Sequence, residues 1–145
     1  PLWVLDYKTG NPRPPDGSLW TDSAFFDRVS AQCGRKTAGA EAGGDLDTLM
    51  DEMRPRLPSL QLPCYLVMLE VAGLAAGGAC IVPLGRDGRE ESLFEGLNGA
   101  ELAAAHGRCR LALVLALTHL ARATVFAARP DGHCSWCPYA GLCAS

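Results

Sequence analysis

The hydrophobic pattern at the start of the chain predicts a β-strand. Leu2-Trp3-Val4-Leu5 is apolar and runs directly into Asp6-Tyr7-Lys8-Thr9-Gly10. Side chains alternate between the two faces of a strand, so Asp6 and Lys8 are expected together on one face. The opposite face would carry Trp3, Leu5 and Tyr7. Segment 11–17, Asn-Pro-Arg-Pro-Pro-Asp-Gly, is rich in strand breakers and is expected to end the strand and to cross the rim of an active site.

The next part of the chain predicts an irregular segment, a loop and one helix. Residues 20–33 have no clear period, and their apolar anchors are Phe25, Phe26 and Val29. Residues 38–44 are small and glycine-rich, which predicts a flexible loop. Asp45 has the character of an N-cap for a short amphipathic helix that packs on the core. The apolar face of this helix consists of Leu46, Leu49, Met50, Met53 and Leu57.

The remaining pattern predicts helix, strand and helix. A helix begins near Ser59, because a proline at position 63 is tolerated only in a first turn, and it extends to the glycines at 77 and 78. Residues 79–84 form a short apolar strand. Asn98 and Glu101 predict a capping box that opens a long helix to about Ala128. Its predicted buried stripe is Leu102, Cys109, Leu113, Leu117 and Leu120. This order is typical of an α/β fold in which helices cover a sheet.

Composition narrows the class of protein. The chain has 145 residues, enough for one domain, and a net charge of −3, which argues mildly against a generally basic nucleic-acid surface. There are seven cysteines, an odd number, and we expect no secretory signal, so a disulfide framework is not expected. The long helix is interrupted by Arg108, Arg110, His119 and Arg122, which predicts a cytoplasmic protein with no membrane partner. No GxxxxGK[ST] phosphate loop occurs, so no ATPase motor is expected within the chain.

Asp6 and Lys8 form a pair with a chemical use. A carboxylate at a strand end can hold a divalent cation for cleavage of a phosphodiester. A neighbouring lysine can orient or help deprotonate the attacking water and steady the developing negative charge. The alternative is a surface ion pair on an edge strand, which is the commoner explanation of an isolated Asp-x-Lys.

Three motifs in order favour the chemical explanation. Asp6-Tyr-Lys-Thr-Gly10 resembles the catalytic strand of RecB-type exonucleases in the PD-(D/E)xK nuclease superfamily. Gln61-Leu-Pro-Cys-Tyr65 fits the Q-x-x-x-Y motif of that family, and Cys134-x2-Cys137-x5-Cys143 fits its cysteine motif. The resemblance implies a restriction-endonuclease-like mixed sheet flanked by helices, of which residues 1–145 would be the C-terminal part. Residues 131–145 would form a cysteine-rich, cluster-binding tail.

The resemblance also implies an activity and roles. The activity is hydrolysis of DNA phosphodiesters with Mg²⁺ or Mn²⁺, in an AddB-type exonuclease that works with a helicase subunit or domain in double-strand-break repair. Asp6 and the main-chain carbonyl of Tyr7 would bind the metal, Lys8 would position the nucleophilic water, and Gln61 and Tyr65 would position DNA. The family pattern also requires an acidic ligand before the catalytic strand, so we expect this chain alone to bind metal weakly and to cut poorly.

The cysteines divide into two groups. In the resembling nucleases a [4Fe–4S] cluster is held by three cysteines with the spacing of Cys134, Cys137 and Cys143, and by a fourth that precedes the catalytic strand. The alternative is a zinc clamp completed by His133 or Cys33, which predicts stoichiometric zinc in the purified protein. The other cysteines, which are Cys64, Cys80 and Cys109, lie in apolar contexts and are expected to be inert thiols.

Three other interpretations remain open, one of which is a plain zinc-binding interaction domain. A Cas4-like nuclease of an adaptive immune system shares all three motifs. The chain could also be a non-catalytic DNA-binding or scaffold module, with the cysteines as a structural staple. His106 and His119 are thirteen residues apart on one helix and are not expected to form a site together. Basic residues that could contact DNA backbone, or lie on a solvated face, are Arg13, Arg35, Lys36, Arg54 and Arg56.

Overall fold

The protein folds as a small mixed sheet with helices packed on it. The computed structural model describes residues 1–10, 12–34, 40–85, 87–123 and 138, with the side chains of 40–44 excluded. Its strands are β1 (Leu2–Lys8), β2 (Ala76–Pro83) and β3 (Glu91–Ser92). A 3-10 helix spans Gly17–Thr21, and the α-helices are α1 (Ser23–Cys33), α2 (Ala40–Met53), α3 (Gln61–Val71) and α4 (Gly99–Arg122). The predicted α/β class is confirmed, and the architecture is consistent with a restriction-endonuclease-like fold.

The sheet has the order β1-β2-β3 in the described residues. β1 pairs with β2 in parallel, with Asp6 opposite Ile81, and β2 pairs with β3 antiparallel. Paired residues share a face, so Asp6 and Lys8 lie on the same face as Ile81, which belongs to the main core. The opposite face of β1 is exposed, as predicted from alternation, and its side chains are Trp3, Leu5 and Tyr7.

Residues 23–33 form a helix, which the irregular hydrophobic pattern of this segment did not predict. Asp22 begins α1, because its carboxylate accepts a hydrogen bond from the backbone N–H of Phe25 at 2.9 Å. The three apolar anchors of the sequence are buried in α1 together with Gln32. Their spacing of one, three and three residues follows a helix face, but the short 3-10 turn before it obscures the period.

The second helix begins five residues earlier than predicted. α2 starts at Ala40 rather than at Asp45, so residues 40–44 are helical and not a flexible loop. The first two residues of the predicted loop, 38 and 39, lie outside the described residues. The predicted apolar face is otherwise correct, since all but one of its members are buried and the last is half-buried: Leu46, Leu49, Met53 and Leu57, then Met50.

The third helix ends at a glycine that the sequence interpretation passed over. Gly73 has a φ of +72°, and the N–H of Leu74 donates to the carbonyl of Leu69 at 2.9 Å, which is the pattern of a Schellman motif. The glycines at 77 and 78, predicted to end this helix, instead lie in β2 beneath the ring of Trp3. A Cβ on either glycine would come within 2.9 Å of that ring.

The fourth helix begins as predicted and ends earlier. The capping box is present, with Asn98 Oδ1 accepting from the N–H of Glu101 and the Glu101 carboxylate accepting from the N–H of Asn98. The helix ends at Arg122 rather than near Ala128. Its buried residues are Ala105, Cys109, Ala112 and Leu115, while Leu117 and Leu120 are exposed. The predicted stripe was therefore wrong at Leu117 and Leu120, whereas Cys109 is buried and Leu102 and Leu113 are half-buried. Small alanines let this helix pack closely against its neighbours.

Candidate active site

Strand β1 brings a carboxylate and an ammonium together. Asp6 and Lys8 are two residues apart and lie on one face of the strand, where Asp6 Oδ2 is 2.9 Å from Lys8 Nζ. The Asp6 side chain is only 11% exposed, whereas that of Lys8 is 34% exposed. The pair is therefore not a fully solvated surface ion pair, and solvent reaches it from the side of the lysine.

The first turn of α3 supplies the next contact. Lys8 Nζ donates a hydrogen bond of 2.6 Å to Gln61 Oε1. The amide nitrogen of Gln61 then donates to the hydroxyl of Tyr65 at 2.9 Å, one helical turn further along. A continuous polar chain thus runs from Asp6 through Lys8 and Gln61 to Tyr65. Both sequence motifs lie in one site, although 53 residues separate Lys8 from Gln61.

The hydrogen-bonding capacity of this chain leaves room for a substrate. An ammonium has three donors, and Asp6 and Gln61 take two of those of Lys8. The third donor is available to a water or a phosphate oxygen. The hydroxyl of Tyr65 accepts from Gln61, so its own proton can be donated outward, and the side chain is 40% exposed. Two donors of this site can therefore reach an anion in solvent.

A cavity of about 590 Å³ opens beside Asp6 and Lys8. This volume lies in the range of ligand-binding clefts. Its other polar lining residues are Arg13 and Ser59, and its apolar walls include Pro12, Pro15, Leu57, Pro58, Leu62 and Leu93. Ser59 and Leu62, which lie at the N-terminal end of α3, line the cavity, and the positive end of a helix dipole favours an anion. The cavity thus combines apolar walls with several features that attract a phosphate.

The donor atoms on β1 fit a hard divalent cation. The Asp6 carboxylate lines the cavity. The Lys8 carbonyl accepts a hydrogen bond from the N–H of Leu84, in the segment that follows β2. The preceding carbonyl, that of Tyr7, therefore points towards the other edge of β1, which has no partner strand among the described residues. Within the described ranges, no three His, Cys, Asp or Glu side chains come together as a metal site. Mg²⁺ is commonly held by one or two carboxylates with water and substrate phosphates, and Asp6 meets that smaller requirement.

Other candidate residues have structural surroundings. His106 packs against the ring of Phe94, with centroids 5.2 Å apart, and His119 Nε2 lies 2.7 Å from Asp47 Oδ1. The two histidines therefore have separate environments, as predicted. Cys80 and Cys109 are buried free thiols, and burial raises the pKa of both, which makes them inert as predicted.

The basic residues that were candidates for DNA contact have different surroundings. Arg56 is a structural residue, since its guanidinium lies 2.8 Å from Asp22 Oδ2 and over the ring of Phe25. Arg54 forms an exposed ion pair with Asp51, one turn away on the chain. Arg13 lines the cavity. The predictions for Arg35 and Lys36, and those for His133, Cys134, Cys137 and Cys143, fall outside the described residues.

The sequence interpretation missed part of the cavity wall. Ser59 accepts a hydrogen bond from the backbone N–H of Gln61 at 3.2 Å and lines the cavity. Segment 11–17 was expected to end the strand and to cross the rim of an active site, and Pro12, Arg13 and Pro15 of this segment line the cavity.

Comparison with known proteins identifies the family. A model of the PD-(D/E)XK nuclease superfamily matches residues 35–144, more than half of the chain. The chain therefore belongs to the PD-(D/E)XK nuclease superfamily. The matched range includes Gln61 and Tyr65 and begins after Asp6 and Lys8. No curated protein and no solved structure matches the chain.

Membership indicates a nuclease that acts on DNA and generally uses a divalent metal such as Mg²⁺. In the part of the chain that the structure describes, no helix has the length and apolar character needed to cross a bilayer.

Proposed function

We propose that this chain carries the catalytic strand of a divalent-metal-dependent deoxyribonuclease that hydrolyses DNA phosphodiester bonds. The observation that carries the proposal is the chain of contacts from Asp6 to Tyr65 beside the cavity. Membership in the superfamily, which rests on the match over residues 35–144, supports the same activity. The two lines overlap only at Gln61 and Tyr65, because the matched range does not contain Asp6 or Lys8.

The roles follow from the geometry of the side chains. Asp6 and the Tyr7 carbonyl would hold the cation, which supplies Lewis-acid activation of the phosphate and of water when bound. Lys8 orients the attacking water with its remaining donor and offsets the negative charge that develops on the phosphate. Gln61 holds the ammonium in place through the hydrogen bond that its side-chain oxygen accepts. Tyr65 fixes the orientation of the Gln61 amide, since its hydroxyl accepts from the amide nitrogen.

The finer part of the proposal rests on the motif resemblance. We assign the activity to an exonuclease of the AddB type, coupled to a helicase in double-strand-break repair and located in the cytoplasm. A [4Fe–4S] cluster bound through Cys134, Cys137 and Cys143 belongs to the same proposal, supported by their spacing alone. The Cas4-like interpretation predicts the same site and differs in its cellular partners.

The test is degradation of end-labelled linear DNA by the full-length protein with Mg²⁺ or with EDTA. We expect cutting with Mg²⁺ and a loss of about 10²- to 10³-fold in Lys8→Ala, because removal of a donor to developing charge has that effect. Arg54→Ala is the matched control, since it removes an exposed cation outside the cavity. Equal cutting by Lys8→Ala and Arg54→Ala would refute the assigned centre.

A non-catalytic DNA-binding module is the second candidate. It is favoured by one observation, that the described residues hold no group of three or more metal-ligating side chains. It predicts that the full-length wild type retains linear DNA but does not cut it with Mg²⁺ or Mn²⁺. That outcome would replace the nuclease proposal.

A further inference from the structure

We infer that Arg13 is a positioning residue that binds a DNA phosphate next to the one undergoing cleavage, an assignment that rests on the proposed nuclease function. Arg13 lines the same cavity as Asp6 and Lys8. It lies outside the sequence motifs that carry the family resemblance.

Arg13 is a cation with unused hydrogen-bonding capacity. In the described part of the chain it has no hydrogen-bond or ion-pair partner. This distinguishes it from Arg28, Arg54, Arg56 and Arg110, each of which pairs with a carboxylate. A guanidinium presents five donors in a planar fork that matches the oxygens of a phosphate. Arg13 is thus the described arginine at this cavity that can take a phosphate without breaking an existing ion pair.

The backbone holds Arg13 in a restricted conformation. It lies between Pro12 and Pro14, and a residue that precedes proline is confined to extended conformations. The segment is also tied down at its far end, where the N–H of Asp16 donates to the carbonyl of Arg56 at 2.7 Å. Less conformational entropy is therefore lost when the side chain binds a ligand than for an arginine on a flexible loop.

The cavity is larger than one phosphate requires and is largely apolar between its polar groups. Contacts with Asp6 and Gln61 hold the Lys8 ammonium in place, so the phosphate that is cleaved belongs at that end of the cavity. Leucine and proline side chains of the walls can contact a sugar or base. Because phosphates repeat along a DNA strand, a strand that enters with one phosphate at Lys8 brings a neighbouring phosphate to the rim where Arg13 lies.

The experiment measures binding separately from cutting. A fluorescent single-stranded oligothymidylate is titrated with full-length protein in EDTA, at several salt concentrations, by anisotropy. We expect Arg13→Gln to bind about 3- to 10-fold more weakly than wild type and to lower the salt slope by about 0.7, the value for one phosphate contact on single strands. Arg54→Gln, which makes the same change of charge outside the cavity, should match wild type.

A modified substrate identifies the phosphate. A methylphosphonate lacks the phosphate charge. When it is placed beside the cleavage position, it should weaken DNA binding by the wild type and leave DNA binding by Arg13→Gln unchanged. Wild-type binding and an unaltered salt slope in Arg13→Gln would overturn the assignment while leaving the nuclease proposal intact. A wild type that neither binds nor cuts DNA would overturn both. The melting temperature of each variant checks the fold, which we expect to be unaltered because Arg13 is exposed.

Discussion

Replacement of Gln61 by alanine tests whether this residue acts on the protein or on the DNA. Its amide oxygen accepts the 2.6 Å hydrogen bond from Lys8, so we expect Gln61→Ala to release the ammonium from its working position. The geometry therefore predicts a fall in kcat with little change in KM. Direct DNA positioning, the role implied by the motif resemblance, predicts the opposite pattern, a rise in KM with kcat preserved.

The size of the effect follows from the contact. A hydrogen bond to a charged group contributes about 1.5 to 3 kcal/mol, which corresponds to about 10- to 150-fold in rate. Because the Lys8 side chain is 34% exposed, water replaces part of the interaction, and we expect the kcat of Gln61→Ala to fall about 10- to 30-fold. Tyr65→Phe removes only a neutral hydrogen bond to Gln61 and should lower kcat about 2- to 10-fold.

The assay is steady-state hydrolysis of labelled linear DNA by the full-length protein with saturating Mg²⁺. Glu70→Ala is the control on the same helix, because Glu70 is exposed and forms an ion pair with Arg110 away from the cavity. If Gln61→Ala keeps a kcat within about twofold of wild type while Lys8→Ala is inactive, the positioning role of Gln61 is wrong.

Two further predictions concern stability, measured by urea unfolding. Asp22→Ala should lose about 0.5 to 2 kcal/mol, because it removes the cap of α1 and the partner of Arg56. The hydrogen bond from the Phe25 N–H, and then that from Arg56, lower the pKa of Asp22. The wild type should therefore lose its extra stability over Asp22→Ala as the pH falls below about 4. A difference in unfolding free energy that stays constant down to about pH 2 would contradict this reasoning. Gly78→Ala should cost about 1 kcal/mol, since its Cβ would meet the exposed Trp3 ring at 2.9 Å. In a Trp3→Ala background that cost should vanish, and strict additivity would show that the ring is not responsible.

The sequence predicted local features better than tertiary ones. The opening strand, the capping box at Asn98 and the helical placement of Gln61 and Tyr65 all depend on residues within a few positions of each other, and all are present in the structure. The start of α2 and the end of α3 were misplaced, because glycines can occur inside a helix or strand as well as at its ends.

The site itself could be predicted only in its parts. Asp-x-Lys and Q-x-x-x-Y were recognised as separate motifs, but no local pattern shows that Lys8 contacts Gln61, since that contact depends on how α3 packs against β1. The predicted stripe of α4 was wrong at Leu117 and Leu120 for a related reason. Leucines were assumed to be buried, whereas the close approach of neighbouring helices selects Ala105 and Ala112 for the interface.

The parallel pairing of β1 with β2 determines when the site can form during folding. Strands β1 and β2 are joined through three α-helices, and the register places Asp6 beside Ile81, far along the chain. Contacts of such long range require closure of a large loop, so they form slowly compared with helices. The Lys8 ammonium therefore has no fixed partner on α3 until the sheet has assembled. The nuclease chemistry proposed for this centre would therefore be a property of the completed fold, which a chain with only its helices formed would lack.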